Sequence, residues 1–335
     1  MKKPMEKTND VIGLGNALMD LLVEVNERTL LEFNLKKGEF HLVDAEKAKI
    51  LLKKINEQEL KIEAVPGGSA ANTLKGIALL GGEAILCGKV GQDEHGEMYV
   101  QQMNGHGVVS RINKHNSTTG HCVTFITPDT ERTFSVHLGA ALELYPEDIL
   151  EEDIAKSKIL HLEGYQFEGK TKETVLQAMG LAKKHDTLIS IDLADPGVVR
   201  RNKKLFEGLI EDIDIIFVNE KEAQEFTGLE NEEAAKELSK KVKVAVVKVG
   251  EKGSFICCGK EIIKVEAVKA KAIDTTGAGD SYAAGFLYGY CNKWSLEEAG
   301  KLGALLAAKV VEQKGVGMKG IDGERLKEEI GGFDN

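Results

Sequence analysis

The sequence predicts an α/β protein with a three-layer core, in which helices cover a mostly parallel β-sheet, and a small antiparallel β-sheet that projects from the core. Three observations predict this class. Apolar, β-branched runs alternate with helix-like stretches, and parallel strands need long crossovers of that kind. Glycine is plentiful (36 residues) and proline scarce (5), which suits tight turns between strands and helices. Two segments, finally, break the alternation.

The core strands are predicted from short apolar runs bounded by polar residues. These runs are residues 85–86, 159–162, 188–191, 213–218 and 244–249. Helix-like stretches lie between several of them, at residues 172–185 and 230–242. A strand followed by a helix and another strand is the unit from which covered parallel sheets are built.

The two segments that break the alternation are residues about 16–45 and 117–138. The second contains TTGHCVTFIT, then PDTER, then TFSVH, which is two alternating strands around a polar turn and is typical of a β-hairpin. We expect both segments to form the small antiparallel sheet and to act as a lid over a site. The length of 335 residues fits one or two domains, and we treat residues 1–335 as a single domain that carries this lid.

The composition excludes several classes of protein. Hydrophobic residues make up 42% and charged residues 29%, and 44 Lys and Arg against 54 Asp and Glu give a net charge of −10. A negative field repels nucleic acid and anionic lipid, so we expect neither as a partner. No apolar run is long enough for a membrane span or a signal-peptide core. Five cysteines without a C-x-x-C pair indicate free thiols and a cytoplasmic protein.

Two glycine-rich stretches resemble nucleotide-binding motifs but lack required residues. The stretch that begins at Gly13 has Leu18 where a dinucleotide fingerprint needs its third glycine. The stretch from Gly82 to Gly88 has five intervening residues instead of four, and Val90 stands where a phosphate loop needs serine or threonine. A nicotinamide-dependent dehydrogenase and a Walker-type site are therefore disfavoured.

The most informative stretch is residues 272–290, AIDTTGAGDSYAAGFLYGY. Gly277, Ala278 and Gly279 place consecutive backbone N–H groups at the start of a small, apolar helix, where unpaired donors and the helix dipole favour an anion. Asp280 adds a carboxylate beside that anion site. The alternative is a tight turn in which Asp280 merely caps the helix.

A second glycine turn opens a helix at residues 65–73, VPGGSAANT. Gly67 and Gly68 expose backbone amides, while Ser69 and Asn72 offer polar side chains one helical turn apart. This arrangement suits hydrogen bonds to a polyhydroxyl ligand. The alternative, with Ser69 as a helix cap and Asn72 incidental, carries equal weight from this stretch alone.

These two stretches, in this order, resemble the ribokinase/PfkB family of carbohydrate and nucleoside kinases. Further matches are GNALMD at residues 15–20, NEKE at 219–222 and KVGEKG at 248–253, so that the resemblance covers essentially the whole chain. It implies a ribokinase-like fold with a β-lid, and transfer of a phosphoryl group from ATP, with Mg²⁺, to a hydroxyl group of a small molecule.

The resemblance also implies roles for individual residues. Asp280 takes the proton of the attacking hydroxyl group, as a poor nucleophile requires, and residues 277–279 form the anion hole for the γ-phosphate. The remaining assignments are Asn16, Asp20, Gly68, Asn72 and Arg132 for the acceptor and its phosphate; Asn219, Glu222, Lys248, Gly250 and Gly253 for ATP; Glu222 also for Mg²⁺ through water; and Asp274 and Thr276 for a monovalent cation such as K⁺.

The acceptor is less defined than the reaction. The early segment and the hairpin are most similar to the adenosine-kinase branch and its bacterial relatives, and a nucleoside base needs an apolar slot. Candidates for that slot are Leu18, Phe40, Leu42, Phe134, Tyr165 and Phe167, each of which could instead belong to the core. We therefore expect a kinase that acts on a primary hydroxyl group of an adenosine-like ribonucleoside or of a sugar.

Two alternatives and the oligomeric state stay open at this point. One alternative is a sugar kinase of the ribokinase or fructokinase type, whose lid should offer polar contacts. The other is an inactive relative that binds nucleosides, which the intact base and anion hole disfavour. The sequence does not distinguish a monomer from a dimer.

Overall fold

The computed structural model describes residues 5–129 and 131–331, and in this part of the chain fourteen strands form two sheets. Thr130, in the predicted hairpin turn, lies outside the described residues, as do both chain ends. The larger sheet has the strand order β14-β13-β12-β11-β10-β9-β1-β5-β6, and its strands are β1 (Asn9–Leu14), β5 (Ala84–Gly91), β6 (Val109–His115), β9 (Ser157–Glu163), β10 (Leu188–Asp192), β11 (Ile215–Asn219), β12 (Val244–Lys248), β13 (Ser254–Cys258) and β14 (Glu261–Val265).

All neighbours from β6 to β12 in this sheet pair in parallel, whereas β13 and β14 form an antiparallel hairpin at one edge. Alternate residues of each strand face opposite sides of the sheet. In β11, for example, Ile215 and Phe217 join one hydrophobic core and Ile216 and Val218 join the other. The predicted mostly parallel core sheet is therefore confirmed.

Helices cover both faces of the larger sheet and complete three layers. One face is covered by α3 (Ser69–Leu79), α4 (Glu94–Gly105), α10 (Ala278–Cys291), α11 (Leu296–Val311) and α12 (Gly323–Ile330). The opposite face is covered by α5 (Glu151–Ala155), α6 (Thr171–Lys184), α7 (Pro196–Leu209), α8 (Glu220–Thr227) and α9 (Asn231–Leu238). Gly285 lets α10 approach α11 closely, since a Cβ there would lie 2.6 Å from the backbone nitrogen of Gly303.

The smaller sheet has the strand order β3-β8-β7-β2-β4, with β2 (Leu18–Glu24), β3 (Phe40–Leu42), β4 (Ile62–Gly67), β7 (Gly120–Ile126) and β8 (Arg132–His137). The predicted hairpin is β7 and β8, which pair antiparallel, and β2 pairs antiparallel with β4. The sheet also contains parallel contacts, β2 with β7 and β3 with β8. Strand β4 lies outside both predicted lid segments.

One face of the smaller sheet is covered by two helices, α1 (Glu27–Glu32) and α2 (Ala45–Glu57). Leu51 and Ile55 of α2 join the core that contains Leu21 and Val23 of β2. The opposite face turns toward the loop that precedes α10. Within residues 5–129 and 131–331, no helix has the length and apolar character needed to cross a bilayer.

Candidate active site

Polar residues stand at the carboxyl ends of five neighbouring parallel strands. Asn16 follows β1, and Glu163, Asp192, Asn219 and Lys248 are the last residues of β9, β10, β11 and β12. Ligands of open α/β sheets bind in the crevice at this end of the strands. The first turns of α3 and α10 contact each other beside this crevice.

Asp280, in the first turn of α10, is held by side chains of α3. Its Oδ1 accepts a hydrogen bond from Ser69 Oγ at 2.7 Å, and its Oδ2 accepts one from Asn72 Nδ2 at 2.9 Å. The Asp280 main-chain carbonyl accepts a third from Thr73 Oγ1 at 3.2 Å. The two glycine-rich stretches of the sequence therefore meet at one carboxylate.

This geometry excludes the capping alternative at both helix starts. The N-cap of α10 is Gly277, in a left-handed conformation with φ +77°, and the N-cap of α3 is Gly68, so neither Asp280 nor Ser69 caps its helix. The interpretation of these two polar side chains as helix caps is wrong. Ser69 instead orients Asp280, a role that the sequence prediction did not assign to it.

Burial raises the pKa of the Asp280 carboxyl above its usual value. The hydrogen bonds from Asn72 and Ser69 oppose this shift because they stabilise the charged form. A carboxylate with a raised pKa is a stronger proton acceptor, and the two donors fix its direction. The group is thus suited to general-base chemistry.

The predicted anion hole lies at the amino end of α10, next to a buried cation. The N–H of Ala278 donates to the Thr275 carbonyl at 3.2 Å, so this amide is already engaged within the turn. Lys248 lies against Gly279, since a Cβ on that glycine would be 3.0 Å from Lys248 Nζ. The helix dipole and this ammonium group both favour a negative charge here.

Lys248 is paired with Asp192, a carboxylate that the sequence analysis did not identify. Lys248 Nζ lies 2.6 Å from Asp192 Oδ2. Burial disfavours the charge of Lys248, but the carboxylates of Asp192, Glu222 and Asp280 outweigh burial and raise its pKa. The ammonium group is therefore charged in the crevice.

Asn219 and Glu222 form a reciprocal cap at the start of α8. Asn219 N–H donates to Glu222 Oε2 at 2.8 Å, and Glu222 N–H donates to Asn219 Oδ1 at 3.0 Å. Burial, reinforced by Asp192, raises the pKa of Glu222 to about 7. Asn219 ends β11 at the crevice, whereas Glu222 is buried, and their polar groups largely satisfy each other.

The two glycines assigned to ATP follow β12, with left-handed backbones in both cases. Gly250 begins a short 3-10 helix, with φ +57°. Gly253 has φ +91°, and a Cβ there would collide with the Val265 carbonyl. The close approach of β14 is therefore enough to require a glycine at residue 253, whether or not that residue binds ATP.

Asp20 lies on β2 against the double-glycine turn. A Cβ on Gly67 would collide with the Asp20 carboxylate, and one on Gly68 would collide with the Asn16 carbonyl. Burial raises the pKa of Asp20 to about 7, while the nearby Lys75 ammonium opposes that rise. The predicted acceptor residues Asn16, Asp20 and Gly68 are therefore neighbours.

Lys75, on α3, is a buried cation that the sequence analysis missed. Its Nζ donates to the Pro66 carbonyl at 2.7 Å, and burial lowers its pKa although Asp20 and Asp280 oppose this. Asn72 Oδ1, also buried, has no hydrogen-bond partner among the described residues. Asn72 thus donates to Asp280 and keeps an acceptor atom that the described residues leave unpaired.

The register of the smaller sheet places the predicted lid residues on one face. Partners across the strands form one row of Asp20, Cys122, Val136 and Leu42 and a second row of Leu22, Thr124, Phe134 and Phe40. Side chains of paired residues project to the same side of a sheet. At the outer end of these rows, Phe40 is 63% and Leu42 66% exposed, which makes an apolar surface.

Arg132, on the same face, bridges the lid and the loop before α10. Its Nη2 lies 2.5 Å from Asp274 Oδ2, and its Nη1 donates to Thr276 Oγ1 at 3.1 Å. Asp274 also accepts from the backbone N–H groups of Thr276 and Gly315. A guanidinium group therefore engages both side chains that the sequence analysis assigned to a monovalent cation.

The two aromatic candidates after β9 have different positions. Tyr165 is 41% exposed at the carboxyl end of the sheet. Phe167 is buried and packs edge-on against Phe206, with ring centroids 5.3 Å apart. The assignment of Phe167 to a base slot is wrong, because it belongs to the core.

Comparisons with known proteins identify the family and the fold. Residues 38–321 match the model of the pfkB family of carbohydrate kinases. Two curated relatives are 5-dehydro-2-deoxygluconokinases. The one from Listeria monocytogenes is 29% identical, with 93% of each chain covered, and the one from Bacillus licheniformis is 30% identical, with 92% of this chain and 91% of the relative covered.

Two solved structures are also similar. A probable sugar kinase from Rhizobium etli has a TM-score of 0.88 and 33% identity, covering 98% of this chain and 99% of its own. The adenosine kinase from Sinorhizobium meliloti has a TM-score of 0.85 and 34% identity, covering 96% and 99%. The predicted ribokinase-like fold is thus confirmed, and the chain belongs to the pfkB family of carbohydrate kinases.

Proposed function

We propose that the protein transfers the γ-phosphate of ATP to a primary hydroxyl group of a ribonucleoside, with adenosine as the first candidate. The observation that carries the choice of acceptor is the apolar outer end of the lid face, at Phe40 and Leu42. Asp20 lies in the same row as Leu42 but three strands away, a span of about 14 Å at ordinary strand spacing. A single sugar ring held by Asp20 does not extend that far, whereas a base attached to the ring extends toward it.

In the proposed reaction, Asp280 accepts the proton of the acceptor's hydroxyl group while the oxygen of that hydroxyl group attacks the γ-phosphorus. The new O–P bond forms, the bond to the bridging oxygen of ATP breaks, and its electron pair leaves with ADP. The amino end of α10 and the Lys248 ammonium stabilise the migrating charge, as phosphoryl transfer requires. Ser69 and Asn72 keep the Asp280 carboxylate pointed at the hydroxyl group.

The carboxylates of Glu222 and Asp192 fit the magnesium ion that such a kinase uses. Mg²⁺ prefers oxygen ligands and keeps several waters when it binds beside nucleotide phosphates. Both carboxylate oxygens of Glu222 accept hydrogen bonds from Asn219, and those of Asp192 accept from the Ala194 N–H and Lys248, so the two residues would contact the ion through water. The ion would neutralise phosphate charge. Arg132 already engages the side chains of Asp274 and Thr276, which disfavours K⁺ at the predicted site.

A second candidate acceptor is a sugar or sugar acid, and the curated relatives named 5-dehydro-2-deoxygluconokinase favour it. A sugar acid brings a carboxylate that needs a cation. In the described residues of the five lid strands, Arg132 is the one cationic side chain on the cleft face, and it is paired with Asp274. This face therefore suits an uncharged acceptor better.

An ATP-consumption assay across adenosine, inosine, ribose, fructose and 5-dehydro-2-deoxygluconate tests the proposal. We expect adenosine to give the highest kcat/KM. Turnover with a sugar or the sugar acid, and none with either nucleoside, would refute the acceptor. Absence of turnover with all five, in the presence of Mg²⁺, would instead favour an inactive relative.

A lid variant tests the apolar surface itself. Phe40→Ala should raise the adenosine KM about tenfold, because contact between a base and an aromatic ring contributes about 1–3 kcal/mol. The matched control is Leu31→Ala on α1, which removes a side chain that is 73% exposed and lies on the covered side of the lid. Equal KM values for the two variants would contradict a base slot at Phe40.

A further inference from the structure

Glu163, the last residue of β9, is a buried carboxylate with no role in the reaction described above. It is 1% exposed. Its Oε1 accepts a hydrogen bond from the Asn16 N–H at 3.1 Å, and its Oε2 accepts one from the Ala70 N–H at 2.8 Å. Gln166 Nε2 lies 3.5 Å from Oε1. Each carboxylate oxygen thus binds a backbone amide from a different segment.

These two amides belong to the segments that carry the acceptor site and the base. Asn16 precedes β2 and therefore Asp20, whereas Ala70 lies in the first turn of α3 beside Ser69, which orients Asp280. Across this region the backbones approach closely. A Cβ on Gly15 would lie 2.6 Å from the Ala70 Cβ.

The charge of Glu163 suits its position at the amino end of α3, where the helix dipole favours an anion. Burial raises the pKa of Glu163 to about 7, while the amides of Ala70 and Asn16 stabilise its charged form. A protonated or neutral side chain presents one acceptor oxygen fewer to these two N–H groups. Buried amides without a partner cost free energy, so the contacts need a carboxylate.

We propose that Glu163 is a positioning residue for phosphoryl transfer. Its carboxylate holds the segment before β2 against the amino end of α3, and so fixes the acceptor-binding Asp20 relative to the base Asp280. The inference rests on the proposed function in assigning acceptor binding to Asp20. The two hydrogen bonds on which it depends do not involve ATP or the strands that end at Asn219 and Lys248.

Glu163→Gln tests this role because the amide keeps the size of the side chain but retains one acceptor oxygen. Its NH₂ group then faces one of the two backbone donors. We expect the acceptor KM to rise about tenfold, the scale of one unmet buried hydrogen bond, while the KM for ATP stays within about twofold. Amide hydrogen exchange in residues 15–20 and 69–73 should accelerate in the variant without any ligand.

The matched control is Thr174→Val on α6, which removes a different buried hydrogen bond, from Thr174 Oγ1 to the Leu144 carbonyl at 2.8 Å. It should lower Tm while leaving both KM values and the exchange of residues 15–20 and 69–73 unchanged. A Glu163→Gln variant that behaves like this control, or that loses ATP and acceptor binding equally, would overturn the proposal.

The exchange measurement separates this inference from the acceptor assignment. If adenosine proves not to be the acceptor, the KM comparison is made with whichever compound the screen identifies. If no acceptor is found, unchanged exchange in Glu163→Gln still refutes the positioning role, and locally accelerated exchange supports it.

Discussion

Asp280→Asn isolates proton transfer from the rest of the reaction, because both contacts of the carboxylate survive the change. In the parent protein, Asn72 Nδ2 lies 2.9 Å from Asp280 Oδ2 and Ser69 Oγ lies 2.7 Å from Oδ1. In the variant, the amide oxygen can still accept from Asn72, and the new NH₂ group can donate to the Ser69 hydroxyl. The side chain therefore keeps its direction and loses its basicity. We expect kcat to fall on the order of 10²–10⁴-fold, which corresponds to about 3–5 kcal/mol of transition-state stabilisation.

Steady-state kinetics with saturating Mg²⁺ and ATP measure this effect, and ATP binding and Tm should stay close to those of the parent protein. The control is Ser69→Ala, which keeps the base but removes one hydrogen bond. Since that bond lowers the pKa of Asp280, its loss should move the acid limb of the kcat profile to higher pH. A kcat within about threefold of the parent value in Asp280→Asn would refute the assignment of the base.

Three further predictions concern the crevice. Gly67→Ala should weaken acceptor binding and spare ATP binding, because its Cβ collides with Asp20; equal changes in both KM values would contradict this. Asp20, whose pKa is raised to about 7, is ionised above and protonated below that pH, so the acceptor KM should rise as the pH falls from about 8 to about 6. A flat profile would argue against binding by its carboxylate. Lys248→Met should lower Tm, because a buried Asp192 without its partner costs about 3–5 kcal/mol. Adding Asp192→Asn should restore Tm but not turnover, and recovery of both would exclude Lys248 from phosphate binding.

Five core strands, β5 and β9 to β12, and the glycine turns were predictable because their information is local, whereas β1, β6, β13 and β14 were not among the predicted runs. An apolar run such as residues 244–249 specifies a buried parallel strand. Glycines before a helix of small residues, as at residues 67–68 and 277–279, specify a tight turn at the start of that helix. Strand β4 was missed because its sequence, IEAVPG, contains a glutamate and a proline. An edge strand tolerates proline, and β4 is an edge of the smaller sheet.

The buried charges around the site could be predicted only in part. Asp192 and Glu163 each end an apolar run, and a polar residue at the carboxyl end of a predicted parallel strand is a signal that would have found both. Lys75 gave no such signal, because a lysine within a helix is ordinarily solvated. Lys75 is buried because β4, which contains Pro66, packs over it, and only the tertiary structure brings these two segments together.

The bridge from Arg132 to Asp274 has a consequence for the path of molecules to and from the crevice. It fastens β8 to the main body beside α10, with both side chains largely shielded from water. The edge strand β3, which carries the exposed Phe40 and Leu42, pairs with this anchored strand. We therefore expect rupture of this ion pair to be a step in lid opening, because β8 and β3 are held at the crevice while it is intact.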